Sequence, residues 1–295
     1  MTSRQINFSN PSLVCNTLIS AADKMLNLSS RSGCTHHLGS TGTAWVSGDL
    51  HDNSFNLSKI IDLASLDIPT NHVVLQEIIH SAGSTKEHDL SYRMLVRVAS
   101  LVLDYPTQVH PILANHELSQ ATKKQITKGG EELVGRFVRG VEYVFGNNAS
   151  EVLSAINTFI YAMPLAVRSA GGLMCCHSLP DESKMDRFDV RILARDIQPA
   201  DLVMSTGSAN MVVWGRHHTK SQYNELAQFW GVTLFCLGHA IVPSGIEIAA
   251  SNVLRLNSDH ENGVVLPVDL SNIQGARQTI GFARKLSTTP INHNE

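Results

Sequence analysis

Short apolar runs alternate along this chain with amphipathic stretches of helical period. Residues 43–47 form a small β-type run. Leu57, Ile60, Ile61 and Ala64 follow it at three- and four-residue spacing, the pattern of a helix with one apolar face. A second apolar run covers residues 72–77. A helix pattern follows, with Leu90, Met94, Leu95, Val98, Leu101 and Val102 in register, and a third run covers 109–114. This β-α-β-α-β succession predicts parallel neighbours joined by right-handed crossovers. Residues 165–168 and 173–176, joined across Gly171-Gly172, predict a β-hairpin. A fifth run spans 232–238. The stretch 246–270 alternates, and its Asn262-Gly263 predicts a second hairpin turn.

The flanks are less regular. Asn10-Pro11 opens a helix whose apolar face is Val14, Leu18, Ala21, Ala22, Met25 and Leu26. Residues 28–42 are rich in Ser, Gly and Thr and predict a loop, with His36-His37 solvated inside it. Residues 118–150, carrying Lys123, Lys124, Lys128, Arg136, Arg139 and Gly129-Gly130, predict a helical insertion near the site rather than core. Arg187, Arg191 and Arg195 recur at four-residue spacing and predict one solvated face of a short helix. The expected division is 1–41 as an N-terminal helix and loop, 42–275 as the main domain, and 276–295 as a polar, frayed tail.

The chemistry lies where the apolar runs end. Asp49 and His51 follow the first run and Glu77 closes the second. Asn115-His116-Glu117 closes the third, His177 the fourth and His239 the fifth. An open α/β sheet binds ligands at the carboxyl ends of its strands. Asp-x-His alone is a common turn sequence. Five runs that each deliver a carboxylate, an amide or an imidazole to a strand end point to divalent cations.

Composition narrows the picture. Hydrophobic residues make up 43%, charged residues 17%, and the net charge is −3. These values predict a soluble globular protein with no general pull toward nucleic acid or membrane. No run reaches the roughly 18 apolar residues of a membrane span, and residues 1–8 lack the apolar core of a signal peptide. The 5 cysteines form an odd set without C-x-x-C spacing, which predicts reduced, buried thiols in a cytoplasmic protein. Cys175 and Cys176 are expected on opposite faces of one strand. Of the 14 histidines, those outside the strand-end set are expected at the surface.

At the strand-end residues the chain resembles the calcineurin-like metallophosphoesterases, in particular the phosphoprotein phosphatase type. That family reads GDxHG, GDxxDRG, GNHE, HG or HS, and GH. The blocks here are Gly48-Asp49-Leu50-His51-Asp52, Gln76-Glu77-Ile78-Ile79-His80-Ser81, Ala114-Asn115-His116-Glu117, His177-Ser178 and Gly238-His239. The resemblance covers about residues 42–270. It implies a four-layer α/β sandwich of two mixed β-sheets flanked by helices. It further implies phosphomonoester hydrolysis by a hydroxide activated between two metal ions, manganese or an iron and zinc pair. Asp49 and His51 would hold the first ion. Asn115, His177 and His239 would hold the second, and Glu77 would bridge. His116 would be the general acid, and Asn115 would also meet the substrate.

The second block departs from the family. His80 stands where the family has the Asp that orients the catalytic His, and Ser81 where it has a phosphate-gripping Arg. Arg216, after Val213-Trp214-Gly215, is the candidate replacement for that grip. The expected partner is a phosphorylated protein or small molecule. A nucleotide or dinucleoside-polyphosphate hydrolase is an alternative. So is a metal-binding pseudo-phosphatase that recognises phosphorylated partners.

Overall fold

The computed structural model describes residues 6–81, 87–124, 127–128 and 131–289. The first strands in chain order are β1 (Arg31–Ser32), β2 (Thr35–Leu38), β3 (Thr43–Asp49), β4 (His72–Gln76) and β5 (Val109–Pro111). A small ribbon follows, β6 (Thr127–Lys128) and β7 (Glu131–Glu132). The remainder are β8 (Ala166–Ser169), β9 (Leu173–Cys176), β10 (Leu234–Leu237), β11 (Ile246–Ala250), β12 (Val253–Leu256), β13 (Val264–Asp269) and β14 (Arg284–Lys285). The helices are α1 (Pro11–Leu26), α2 (Ser54–Ala64), α3 (Tyr92–Asp104), α4 (Asn115–Thr122) and α5 (Leu133–Phe145). After them come α6 (Ala149–Ala162), α7 (Ser208–Trp214), α8 (Lys220–Trp230) and α9 (Ala276–Thr279).

One sheet runs β14-β13-β3-β4-β5, with β3, β4 and β5 parallel as the alternation of runs predicted. The other runs β1-β2-β8-β9-β10-β12-β11; in it β8 and β9 form the expected antiparallel hairpin, and β9 and β10 are parallel.

Period-two alternation sorts the strand residues onto two faces. Ala44 and Val46, Val74, Leu173 and Cys175, Leu234 and Cys236, and Leu254 and Leu256 meet in one apolar cluster between the sheets. Their neighbours Val73, Leu75, Met174, Cys176, Phe235 and Leu237 face outward. There they join the buried faces of the helices in a larger cluster. The result is four layers, helix–sheet–sheet–helix, and Cys175 and Cys176 do face opposite ways. Each fully buried Val, Leu, Ile or Phe contributes about 1.5–3 kcal/mol, so the two inner sheet faces and the helix stripes are the main source of stability. The start of α1 at Asn10-Pro11 is as the sequence predicts. Asn10 Oδ1 accepts from Leu13 N–H at 3.1 Å to start α1, and Asn53 Oδ1 accepts from Asn56 N–H at 2.9 Å to start α2.

Several expectations are corrected. Residues 31–38 are not a loop. They form β1 and β2, and β2 pairs in parallel with β8, which buries His36 while His37 stays exposed. Buried His72 and His110 likewise depart from the surface expected for them. The stretch 118–150 is core in part, because α5 buries Phe137, Val141 and even Arg136; Gly129 and Gly130 lie outside the described residues. Asn262-Gly263 closes no hairpin: β12 and β13 belong to different sheets, and the turn carries the chain from one to the other. Arg187, Arg191 and Arg195 line no helix face, since the segment holds only a one-turn 3-10 helix at Ile192–Ala194. Residues 276–289 are not frayed. They include α9, with Ala276 buried, and β14 on the edge of β13, and Leu286 is buried; 290–295 lie outside the described residues. Among the described residues no helix is long and apolar enough to cross a membrane.

Candidate metal centre

The carboxyl ends of β3, β4, β9 and β10 meet at one edge of the sandwich, and the strand-end residues meet with them. The chain turns sharply at these ends. His51 has φ 40°, Asp52 63°, Glu77 43°, His80 64° and His239 65°. Residues other than glycine rarely take such angles, and each costs on the order of 1–3 kcal/mol. The turns aim side chains out of the strand plane toward a common point.

Two glycines permit the approach. A Cβ on Gly48 would meet Leu256 O at 2.1 Å, so only glycine lets β3 run this close to β12. A Cβ on Gly238 would meet Asp49 Oδ1 at 2.3 Å and His177 Nδ1 at 3.2 Å. The absent side chain of Gly238 is therefore the space in which those ligand atoms stand.

Asp49 Oδ1 accepts from His239 N–H at 2.9 Å and Oδ2 accepts from Asn257 Nδ2 at 3.2 Å. Glu77 Oε2 lies 3.4 Å from His51 Nε2, and its Oε1 lies 3.5 Å from His116 Nε2 and 3.7 Å from His177 Nε2. Asn115, first residue of α4, places its Oδ1 2.7 Å from His177 Nε2 and 3.0 Å from His239 Nδ1. Two groups have ligand atoms all within 4.8 Å of one another: His51, Glu77 and His116, and Glu77, His177 and His239.

The electrostatics suit a cation. Burial pushes the Asp49 carboxyl up, and Glu77 lies in hydrogen-bond contact with it. Two buried carboxylates side by side repel unless positive charge lies between them. Burial, with the His239 ring second, drives His177 well below the usual imidazole range. Burial, then the Arg216 guanidinium, drives His239 down to about 3. Both are thus neutral, the form that ligates a metal. Buried His177 Nδ1, His239 Nε2 and Gln76 Oε1 have no hydrogen-bond partner. Mixed carboxylate, amide and imidazole donors, with buried nitrogens left over, fit manganese, iron or zinc.

Asp49, His51, Glu77, Asn115, His177 and His239 are thus brought together, with His116 and His80 beside them. His80 Nδ1 lies 3.0 Å from His116 Nδ1. Arg216 is exposed and close: its Nη1 donates to His239 O at 3.1 Å, and it lines a cavity of about 180 Å³ with Ser178, His239, Ile241 and Arg255. Sequence reading missed the residues that brace these groups. Glu117 Oε1 accepts from Ile78 N–H at 2.7 Å and Ile79 N–H at 3.1 Å, fixing the turn that holds Glu77, and burial raises its carboxyl to about 7. Its place in Asn-His-Glu was the available signal. Asn257 is distant in sequence and carried none.

No family model and no curated protein matches the chain. Solved structures do. A protein serine/threonine phosphatase from Saccharomyces cerevisiae with similarity to human phosphatase PP5 superposes with TM-score 0.64 at 11% identity, over 88% of this chain and 83% of that one. A cold-active protein-tyrosine phosphatase of Shewanella sp. gives TM-score 0.54 at 13% identity, over 80% and 77%. At such identities the likeness concerns the fold. With two mixed sheets flanked by helices, this chain shares the four-layer α/β sandwich fold of these phosphatases, the fold that the resemblance to the calcineurin-like metallophosphoesterases implied.

Proposed function

We propose that the protein is a metal-dependent phosphoesterase that hydrolyses phosphomonoesters on a protein or a small molecule. The observation that carries this reading is the membership of Glu77 in both donor groups, the place a bridging carboxylate between two ions would take. Asp49 and His51 would hold one ion, and Asn115, His177 and His239 the other. Bound ions of this kind supply Lewis acidity toward phosphoryl oxygens and lower the pKa of water.

The chain's own residues do the rest. Burial and the strand-end turns hold six ligand side chains in place before substrate arrives. His116 presents Nε2 on the Glu77 side, where it can hold a proton for the leaving oxygen. The Arg216 guanidinium, beside His239, can grip a phosphoryl oxygen by a charge-assisted hydrogen bond. All five thiols are buried and free, which suits a reducing cytoplasm. The phosphatase fold neighbours support the reaction class.

The test is purified protein loaded with manganese, zinc or iron and offered p-nitrophenyl phosphate, a phosphopeptide and diadenosine tetraphosphate. Monoester turnover that depends on metal is expected. Asp49→Asn and His177→Ala should each lower bound metal, read by elemental analysis, and abolish turnover. Two ions per chain retained in both variants would overturn the ligand assignment. Preferred cleavage of the tetraphosphate would replace the substrate class. Binding without cleavage would make the protein a recognition module.

A further inference from the structure

Behind His116 lies a chain of contacts in which His80, the partner the sequence offered, is joined by Gln120, which the sequence did not single out. His116 Nδ1 faces His80 Nδ1 at 3.0 Å, and His80 Nε2 faces Gln120 Oε1 at 3.1 Å. All three residues are buried. Gln120 stands one helical turn after His116 on α4, the i,i+4 spacing that puts both on one face. His80 N–H donates to Ser91 Oγ at 3.0 Å, and the Phe137 ring stands edge-on 5.8 Å from the imidazole, so the ring is held in place.

The donor and acceptor roles follow from the amide. A Gln Oε1 can only accept, so His80 Nε2 carries the proton in that contact. In the neutral ring Nδ1 of His80 is then a bare acceptor, and the proton between the two Nδ1 atoms belongs to His116. His116 is left with Nε2 as the nitrogen that exchanges a proton on the Glu77 side.

We propose that His80 and Gln120 form a neutral acceptor relay that fixes His116 in the Nδ1–H tautomer and aims its Nε2 at the reaction site. They are positioning residues. A carboxylate would orient the ring by one charged contact; here two uncharged groups in series give the same orientation. The relay leaves Nδ1–H in place whether Nε2 holds a proton or has released it, so it needs no rearrangement during turnover. The tautomer stands on geometry alone, and its kinetic consequence rests on the general-acid reading above.

Long-range ¹H–¹⁵N correlation spectra of the ¹⁵N-labelled full chain, chelator-treated and zinc-loaded, read the tautomer directly at alkaline pH. His116→Ala assigns the signals. The wild-type His116 ring should show a protonated Nδ1 and a bare Nε2. Gln120→Leu should lose that bias, keep its metal content, and lower kcat about tenfold or more, as loss of a ligand-orienting contact does, with KM nearly unchanged. Gln120→Glu keeps an acceptor oxygen and should restore both tautomer and kcat. In a His80→Asp background the cost of Gln120→Leu should shrink, because the aspartate supplies the acceptor alone. An Nε2–H tautomer in the wild type would show the Gln120 amide turned the other way and overturn the proposal. An unchanged tautomer in Gln120→Leu would overturn it too. Absence of turnover on every substrate would defeat the functional reading, and the spectra would still decide the relay.

Discussion

Three of the six proposed ligand residues combine an ordinary side chain with an unusual backbone angle. His51, Glu77 and His239 hold left-handed conformations that the packed strand ends impose. Their donors are thus fixed by the fold before any cation binds. His116 differs in sitting on the first turn of α4, with ordinary helical backbone. His116→Ala should therefore keep the bound metal and lose on the order of 10²–10⁴ in kcat, the range of a general acid. That loss should shrink for substrates with very acidic leaving groups; an unchanged kcat on an alkyl phosphate would rule the role out. Arg216→Ala should lower kcat/KM at least about tenfold, equal to roughly 1.4 kcal/mol, since the guanidinium stands beside His239. Arg191→Ala should do little, as Arg191 is exposed at the head of a 3-10 turn. Equal effects from the two would assign phosphate binding elsewhere. Asp49, His51, Glu77, Asn115, His177 and His239 were legible because a strand end is a local pattern. Gln120 and Asn257 were not, because their work is defined only by what the fold puts opposite them.

The same division holds among elements. Strands and helices with strong periodicity, β3 to β5 with α2 and α3, were legible down to their parallel order. Elements whose partners are remote were not: β2 reads as a Ser- and Gly-rich loop until β8 pairs with it, and β14 reads as tail until β13 does. The segment after His177 shows why arginine spacing misled. Arg195 reaches Asp189 Oδ2 at 2.8 Å and Asp201 Oδ2 at 2.7 Å, while its backbone O accepts from Cys34 N–H at 3.1 Å. One guanidinium thus braces an irregular segment that the Arg195 carbonyl ties to the edge of the seven-stranded sheet. The Arg195 hydrogen bonds hold both Asp189 and Asp201 below the usual carboxylate range. Depressed carboxylates stabilise the fold above their unfolded values, near pH 4, and lose that contribution as pH falls further. Arg195→Ala should cost about 1 kcal/mol near neutrality, the scale of partly exposed ion pairs. It should also flatten the acid limb of the stability curve below about pH 4. Chemical denaturation at neutral and acid pH checks both, and equal losses at the two would refute the coupling.

Across the whole molecule, the two sheets are joined through β2, β5 and β4 by three buried imidazoles. His36 from β2 places Nδ1 3.2 Å from His110 Nδ1 on β5, and His110 Nε2 lies 3.3 Å from His72 Nδ1 on β4. Arg31 Nη1 lies 3.4 Å from His36 Nε2. This chain of rings adds polar contacts across the apolar layer between the sheets. Burial, then the Arg31 charge, drives His36 down to about 3. Burial, then His36, drives His110 well below the usual range, and burial lowers His72. A base whose folded pKa is depressed stabilises the fold above its unfolded value, about 6.5. The contribution is lost as pH falls from there toward the folded value, because the unfolded chain takes up the proton that the folded one refuses. Each such imidazole adds up to about 1.4 kcal/mol per pH unit to the slope. His177 and His239 behave alike in the metal-free protein, so the wild-type slope alone does not isolate the bridge. His36→Gln does: it keeps a side chain that can hydrogen-bond to His110 and removes one titrating group. Urea unfolding of the chelator-treated protein between about pH 6 and 4 should show a slope shallower than wild type by up to that one-proton amount. Identical slopes would mean that the sheets separate in acid without charging His36.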